Sequence, residues 1–112
     1  MNMPKLSIIT VNFNDSVGLA KTIESLEKQV SLLDNSIEHI IVDGGSTDNS
    51  VELIKNYVQR EHNYKIVWIS EKDRGIYDGM NKGIQISRGE YLYFLNGGDV
   101  LNNENSLKDI FN

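Results

Sequence analysis

Four short runs of β-branched and apolar residues alternate along this chain with three stretches of helical periodicity, which constrains the fold more than any other feature. Leu6-Ser7-Ile8-Ile9-Thr10-Val11 reads as a buried strand, bounded by Pro4 and by an Asn-rich stretch. Leu19, Ile23, Leu26 and Val30 then recur at the spacing of one helix face, and Asp15 or Ser16 would cap the start. Ile37–Val42 is a second strand. Asn49 with Glu52 marks the start of a helix whose apolar positions are Val51, Ile54 and Val58. Lys65–Ser70 is a third strand, and Ile76, Met80 and Ile84 predict a third helix ending near Gly89. Tyr91–Leu95 is the fourth strand, apolar on both faces and so expected at the centre of a sheet. Leu107, Ile110 and Phe111 suggest the start of another helix.

The order β-α-β-α-β-α-β implies a parallel sheet with helical crossovers covering both faces. In such sheets ligands bind beyond the carboxyl ends of the strands. Polar and Gly-rich residues should therefore follow the strands, and they do. The exits are Asn12-Phe13-Asn14-Asp15, Asp43-Gly44-Gly45-Ser46-Thr47-Asp48, Glu71-Lys72-Asp73-Arg74-Gly75 and Asn96-Gly97-Gly98-Asp99. The residues before the strands, Lys5, Ser36, Tyr64 and Glu90, carry less chemistry.

Composition narrows the ligand. The formal net charge of -5 argues against nucleic acid as a partner, since nucleic-acid binders carry a basic footprint. A diphosphate remains compatible if a divalent metal lies between it and the carboxylates. With no Cys there is no disulfide framework, thiolate metal site or Cys nucleophile, and a reducing, cytoplasmic setting fits. The run Leu6–Val11 is too short for a signal-peptide core or a membrane span, so a soluble, compact domain is expected.

Each polar exit has a structural alternative to ligand binding. Asn12 and Asn14 could shape an Asx-turn and cap the first helix, or present an amide to a base or phosphate. A G-x-G-x-x-G motif is absent, which counts against a dinucleotide enzyme. Asp43 ends a buried strand, where an ionised carboxylate needs donors. Those are a nucleobase N–H, the favoured reading, or the backbone of its own Gly-rich loop. Asp73 and Arg74 could be a surface pair, but their position suits a phosphorylated ligand, and the guanidinium fork matches phosphate. Asn81 joins them as a candidate on the following helix, while Tyr77 and Asp78 read as its polar face. Asp99 follows two glycines and is the candidate ligand for Mg²⁺ or Mn²⁺. His39 and His62 follow no strand and read as structural or exposed; Trp68 and Met80 read as core.

Taken together, the blocks Leu6–Asn14, Ile40–Asp48, Asp73–Gly83 and Gly89–Asp99 resemble the family 2 glycosyltransferases, in order and spacing, over essentially the whole chain. Gly75–Gly83 and Asn-Gly-Gly-Asp are similar to the subgroup that builds bacterial exopolysaccharide and O-antigen. The resemblance implies a GT-A fold, a Rossmann-like α/β three-layer sandwich with a mostly parallel sheet and helices on both faces, here truncated. It implies inverting transfer from a nucleotide-diphosphate sugar (UDP-, GDP- or dTDP-linked) to a saccharide or lipid-linked saccharide acceptor. Thr10, Val11, Asn12, Asn14 and Asp43 would hold the base and ribose. Asp73 and Arg74 would lie near the base or diphosphate, with Asp99 as the last carboxylate of the metal motif.

Two departures are visible. Asn96 and Gly98 stand where other members carry Asp, so metal binding would be weaker. The family also continues beyond this length, which places the catalytic base past Asn112 and predicts donor binding with little turnover. Such a piece would expose an apolar sheet edge, favouring a homo-oligomer. The complete enzyme is expected in the cytoplasm, at the inner face of the membrane. A signalling receiver would want an acidic cluster after strand one. A nucleotidyltransferase would want a basic Gly-rich loop there. Neither pattern is present.

Overall fold

The computed structural model describes residues 4–30 and 36–96, and the side chains of residues 29 and 30 are outside that set. Seven elements follow in alternation: β1 (Leu6–Asn12), α1 (Ser16–Val30), β2 (Ile37–Asp43), α2 (Ser50–Gln59), β3 (Lys65–Ser70), α3 (Ile76–Ile86) and β4 (Tyr91–Phe94). All pairings are parallel, in the order β3-β2-β1-β4. β1 and β2 are buried at every position, including their polar residues Ser7, Thr10, Asn12, Glu38, His39 and Asp43. Both run one residue further than the apolar pattern predicts. Asn12 and Asp43, their last residues, sit opposite each other in register.

The two faces of β1 and β2 feed separate cores. Leu6, Ile8, Ile37 and Ile41 pack with Leu19, Ile23 and Leu26 of α1 and Ile54 and Tyr57 of α2, with Trp68 against them. Ile9, Val11, Ile40 and Val42 form the other core, covered by Met80 and Ile86 of α3 and by Phe94. Strand alternation alone sorts these side chains into two layers.

Three expectations need correction. Tyr91–Leu95 is not central: β4 ends at Phe94 and lies at one edge of the described sheet, with Tyr91 58% and Leu92 40% exposed. Apolar residues on both sides of a strand look the same in sequence wherever the strand lies. The buried face of α2 is Ser50, Ile54 and Tyr57, whereas Val58 is exposed. Burial of Tyr57 is tolerated because its hydroxyl has buried partners. The third helix ends at Ile86, before Gly89, and turns glycine towards the sheet. Gly79 and Gly83 are buried while Ile76 and Ile84 are exposed. A Cβ on Gly83 would come within 2.5 Å of Ile9 Cγ2, and one on Gly79 within 2.7 Å of Val11 Cγ1. The helix backbone thus lies directly on β1. Val30 is the last residue of α1, but its side chain, and the segment with Leu107, Ile110 and Phe111, are outside the described residues.

Candidate nucleotide-binding site

The exits of β1 and β2 are stitched together by short polar side chains. Asn14 adopts φ 49°, in the left-handed region that Asn tolerates. Its Oδ1 accepts the Thr47 N–H at 2.7 Å, and its own N–H donates to Ser46 Oγ at 2.8 Å. Asp15 caps α1 through the Gly18 N–H at 3.0 Å. Asp48 serves two helices at once. One oxygen accepts the first N–H of α1, from Ser16 at 3.0 Å, and the other that of α2, from Ser50 at 2.9 Å. The proximity of Ser50 leads in holding the Asp48 carboxyl below its usual range. Asn49 makes no side-chain cap, so the residue before it does the work expected of it.

Asp43 is wholly buried. Its Oδ1 accepts from Asn12 Nδ2 at 3.0 Å and Ser46 Oγ at 2.7 Å. Its Oδ2 accepts from the N–H groups of Gly45 and Ser46 and from Ser70 Oγ at 2.8 Å. Burial pushes this carboxyl up, yet the bonds from Ser46, Asn12 and Ser70 outweigh it and hold it below the ordinary value. A carboxylate offers about four lone-pair positions, so these donors fill it. The Gly-rich loop and its neighbours supply the donors that the buried charge requires. Asn12 Oδ1, by contrast, is buried without a hydrogen-bond partner.

The cleft lies on the other side of that loop, at the α3 face. It encloses about 500 Å³, a volume suited to a small-molecule ligand. Val11, Phe13 and Ile76 give it apolar walls, Gly44, Gly45 and Gly75 expose backbone, and Lys72 and Asp73 supply its charge. Asp73 is half-buried, with Oδ1 accepting the Gly75 N–H at 3.0 Å. Its carboxylate lies where side chains on the facing glycines would go. A Cβ on Gly44 would stand 2.8 Å from Asp73 Oδ2, and one on Gly79 3.3 Å from it. Gly75 has φ 120° and opens α3 with nothing near its missing side chain. Lys82 braces the loop from behind, with Nζ 3.1 Å from Glu71 Oε1 and 3.3 Å from the Lys72 carbonyl. Asp78, read above as surface, accepts the Arg74 N–H at 2.9 Å and is held below the usual carboxylate range chiefly by that bond.

Of the sequence-predicted residues, the structure brings Val11 and Asp73 to the cleft wall. Asn12, Asn14 and Asp43 build the loop behind it. Thr10 is wholly buried. Arg74 and Asn81 are exposed and outside the cleft lining. Asp99 lies outside the described residues, among which no group of three His, Cys, Asp or Glu could hold a metal. Sequence reasoning passed over Phe13 and Lys72. Phe13 had a usable signal: a large aromatic between two Asn just past a buried strand, 61% exposed in the structure.

The model of the Glycosyl transferase family 2 matches residues 7–112. The chain belongs to glycosyltransferase family 2. This family 2 chain is 41% identical over 96 residues to an uncharacterized glycosyltransferase of Mycobacterium tuberculosis, covering 86% of the chain and 34% of that protein. It is 32% identical over 101 residues to a PGL/p-HBAD biosynthesis glycosyltransferase of Mycobacterium bovis, covering 90% of the chain and 38% of that protein. The family 2 chain therefore spans about a third of the length of the relatives it matches. Among solved structures, it is similar to the mannosyltransferase PcManGT from Pyrobaculum calidifontis in complex with GDP-Man and Mn²⁺. That match has TM-score 0.84 and 16% identity, over 96% of the chain and 31% of that protein. It also matches S. aureus TarS 1-349 in complex with UDP, with TM-score 0.79 and 25% identity over 96% of the chain and 31% of that protein. The α/β architecture is that of the GT-A glycosyltransferases. No described helix is long and apolar enough to cross a membrane.

Proposed function

We propose that this chain is the donor-binding part of a glycosyltransferase, and that its cleft takes the nucleoside diphosphate of an activated sugar. The observation that carries this reading is the half-buried Asp73 carboxylate, set between Gly44 and Gly79 beside the apolar walls of Val11 and Phe13. A flat heterocycle fits between apolar walls, and a carboxylate at its edge accepts a ring N–H. Uracil, thymine and guanine carry such a donor, whereas cytosine offers an acceptor at the corresponding ring nitrogen. Lys72 supplies a cation at the same cleft for phosphate oxygens. Asn14 and Asp43 act through the loop they hold in shape. The ligands named with the similar structures, GDP-Man with Mn²⁺ and UDP, support the same class of donor.

The finer reading follows from the sequence. Asp99 would hold Mg²⁺ or Mn²⁺, which stabilises a departing diphosphate as a Lewis acid. Transfer would be inverting, to an acceptor hydroxyl of a saccharide or lipid-linked saccharide in bacterial polysaccharide synthesis. The test is calorimetric titration with UDP, GDP, dTDP and CDP, with and without Mn²⁺, on the wild type, Asp73→Ala and Asp99→Ala. Expected is Mn²⁺-dependent binding of UDP, dTDP or GDP in preference to CDP. Asp73→Ala should weaken it about 10- to 100-fold, the worth of a hydrogen bond to a charged group. A folded protein that binds none of the four overturns the reading.

A further inference from the structure

His39 sits in the middle of β2 with no exposed surface, between two hydroxyl groups. Its Nε2 lies 2.8 Å from Thr10 Oγ1, and its Nδ1 2.8 Å from the Tyr57 hydroxyl. That hydroxyl lies 2.8 Å from the Tyr64 hydroxyl. At the other end, Thr10 Oγ1 is 2.6 Å from the Leu95 carbonyl oxygen. A carbonyl has no proton to give, so Thr10 donates its single hydrogen there. The contact with His39 then requires a donor on the ring, which puts the proton on Nε2. In a neutral imidazole Nδ1 is then an acceptor, so Tyr57 donates to it, and Tyr64 donates to Tyr57. One carbonyl fixes the direction of every bond in the row.

The surroundings keep the row in that state. Burial, aided by the nearby His62, holds His39 neutral, with its pKa lowered to about 3. Burial also pushes both tyrosines up, Tyr64 to about 12, so both remain donors. His62 packs its ring against Tyr57 and Tyr64 and pairs with Glu27, and Arg60 lies over the Tyr57 ring. The row ends on the last described residues before Gly97. There Leu95 N–H donates to the Ile9 carbonyl at 2.9 Å. Thr22 Oγ1 donates to the Asn96 carbonyl at 3.2 Å, and the Val11 N–H to Asn96 Oδ1 at 3.2 Å.

We propose that Thr10 and His39 are positioning residues, whose buried hydrogen-bond row fixes where the chain leaves β4 and so orients Asn96 against Val11, a residue of the cleft wall. Thr10 is wholly buried and acts through the Leu95 carbonyl. The effect on nucleotide affinity rests on the donor-site reading, but the effect on Asn96 does not.

The experiment compares wild type, Thr10→Ser and Thr10→Val by ¹⁵N NMR and by titration with UDP, dTDP and GDP in the presence of Mn²⁺. Serine keeps the hydroxyl and valine keeps the shape. In the wild type the His39 ring should show the Nε2–H tautomer at neutral pH. A Nδ1–H tautomer or a charged ring overturns the row, and this readout needs no variant to fold. Thr10→Ser should retain the Asn96 signals and bind within about twofold of wild type. Thr10→Val should shift the Asn96 backbone and side-chain signals and bind about tenfold more weakly, the worth of one net hydrogen bond. Equal loss in both variants, or wild-type behaviour of Thr10→Val, overturns the proposal. If the wild type binds no nucleotide, the donor-site reading fails, while the tautomer and the Asn96 signals still decide the positioning role.

Discussion

Two residues on either side of the Gly-rich loop respond to substitution in opposite ways. Gly44→Ala would place its Cβ against Asp73 Oδ1 and Oδ2, the far end of a flexible side chain whose one hydrogen bond among the described residues is that from the exposed Gly75 N–H. The carboxylate can swing away at little cost, so stability should change by less than about 1 kcal/mol, within the range of mild substitutions. Nucleotide affinity should nevertheless fall, because the acceptor moves. Urea unfolding and calorimetry on the same sample separate the two effects. Asp43→Asn should do the reverse, costing about 2–4 kcal/mol of stability by urea unfolding. It turns one acceptor oxygen into a donor among the amide of Asn12, the hydroxyls of Ser46 and Ser70 and two loop N–H groups. Whether Asp43 faced a ligand or its own loop was open in the sequence, because both readings need a carboxylate at a strand end. Side-chain parity decided the geometry. Asp43 falls on the α1–α2 side with His39 and Ile41, while Gly44 opens towards α3.

At the scale of elements, the glycines of α3 are the sharpest case. Gly83→Ala gains about 1 kcal/mol in intrinsic helix propensity. It also drives a methyl into Ile9 Cγ2, a β-branched side chain fixed in the core, where overpacking costs about 1–3 kcal/mol. At 2.5 Å the overpacking lies at the upper end of that range, so a net loss of about 2 kcal/mol by urea unfolding is expected, with the slope against denaturant unchanged. An unchanged or raised stability would mean that α3 rides further from β1 than described. The helix itself was legible from Ile76, Met80 and Ile84, but its orientation was not. Periodicity counts apolar side chains, and here the contact is made by positions that have none. The same limit rotated α2, where an aromatic hydroxyl with buried partners displaced Val58 from the core face.

At the scale of the whole molecule, the neutral, buried His39 links folding to pH. Its folded-state pKa, about 3, lies below the unfolded value of 6.5, so the unfolded chain binds the extra proton. Stability from this group is fully present above the unfolded value and is lost as pH falls from about 6.5 towards 3. Within that window the slope approaches about 1.4 kcal/mol per pH unit. Asp43, also lowered on folding, adds loss in the same direction as pH falls through the carboxylate range. Urea midpoints measured between pH 7.5 and 4.5 check this, and His39→Gln should flatten the upper part of the curve. A wild-type curve that is flat from pH 7 to 5 would show that His39 is solvated and titrates normally.

The sequence by itself determined the element order, the parallel sheet, the polar rim at its carboxyl end and the family. Each of these depends on local periodicity and on residues that stand beside one another in the chain. The tertiary structure decided which rim residues meet. It set Asp73 between Gly44 and Gly79, left Phe13 and Lys72 at the cleft, hid Thr10 and kept Asn81 outside. It also put β4 at the edge of the described sheet and joined Tyr64 to Leu95 through His39. The reason is physical. A strand's apolar content records that its faces are covered, not by what, and a polar residue's partner is chosen by packing between distant segments rather than by its neighbours in sequence.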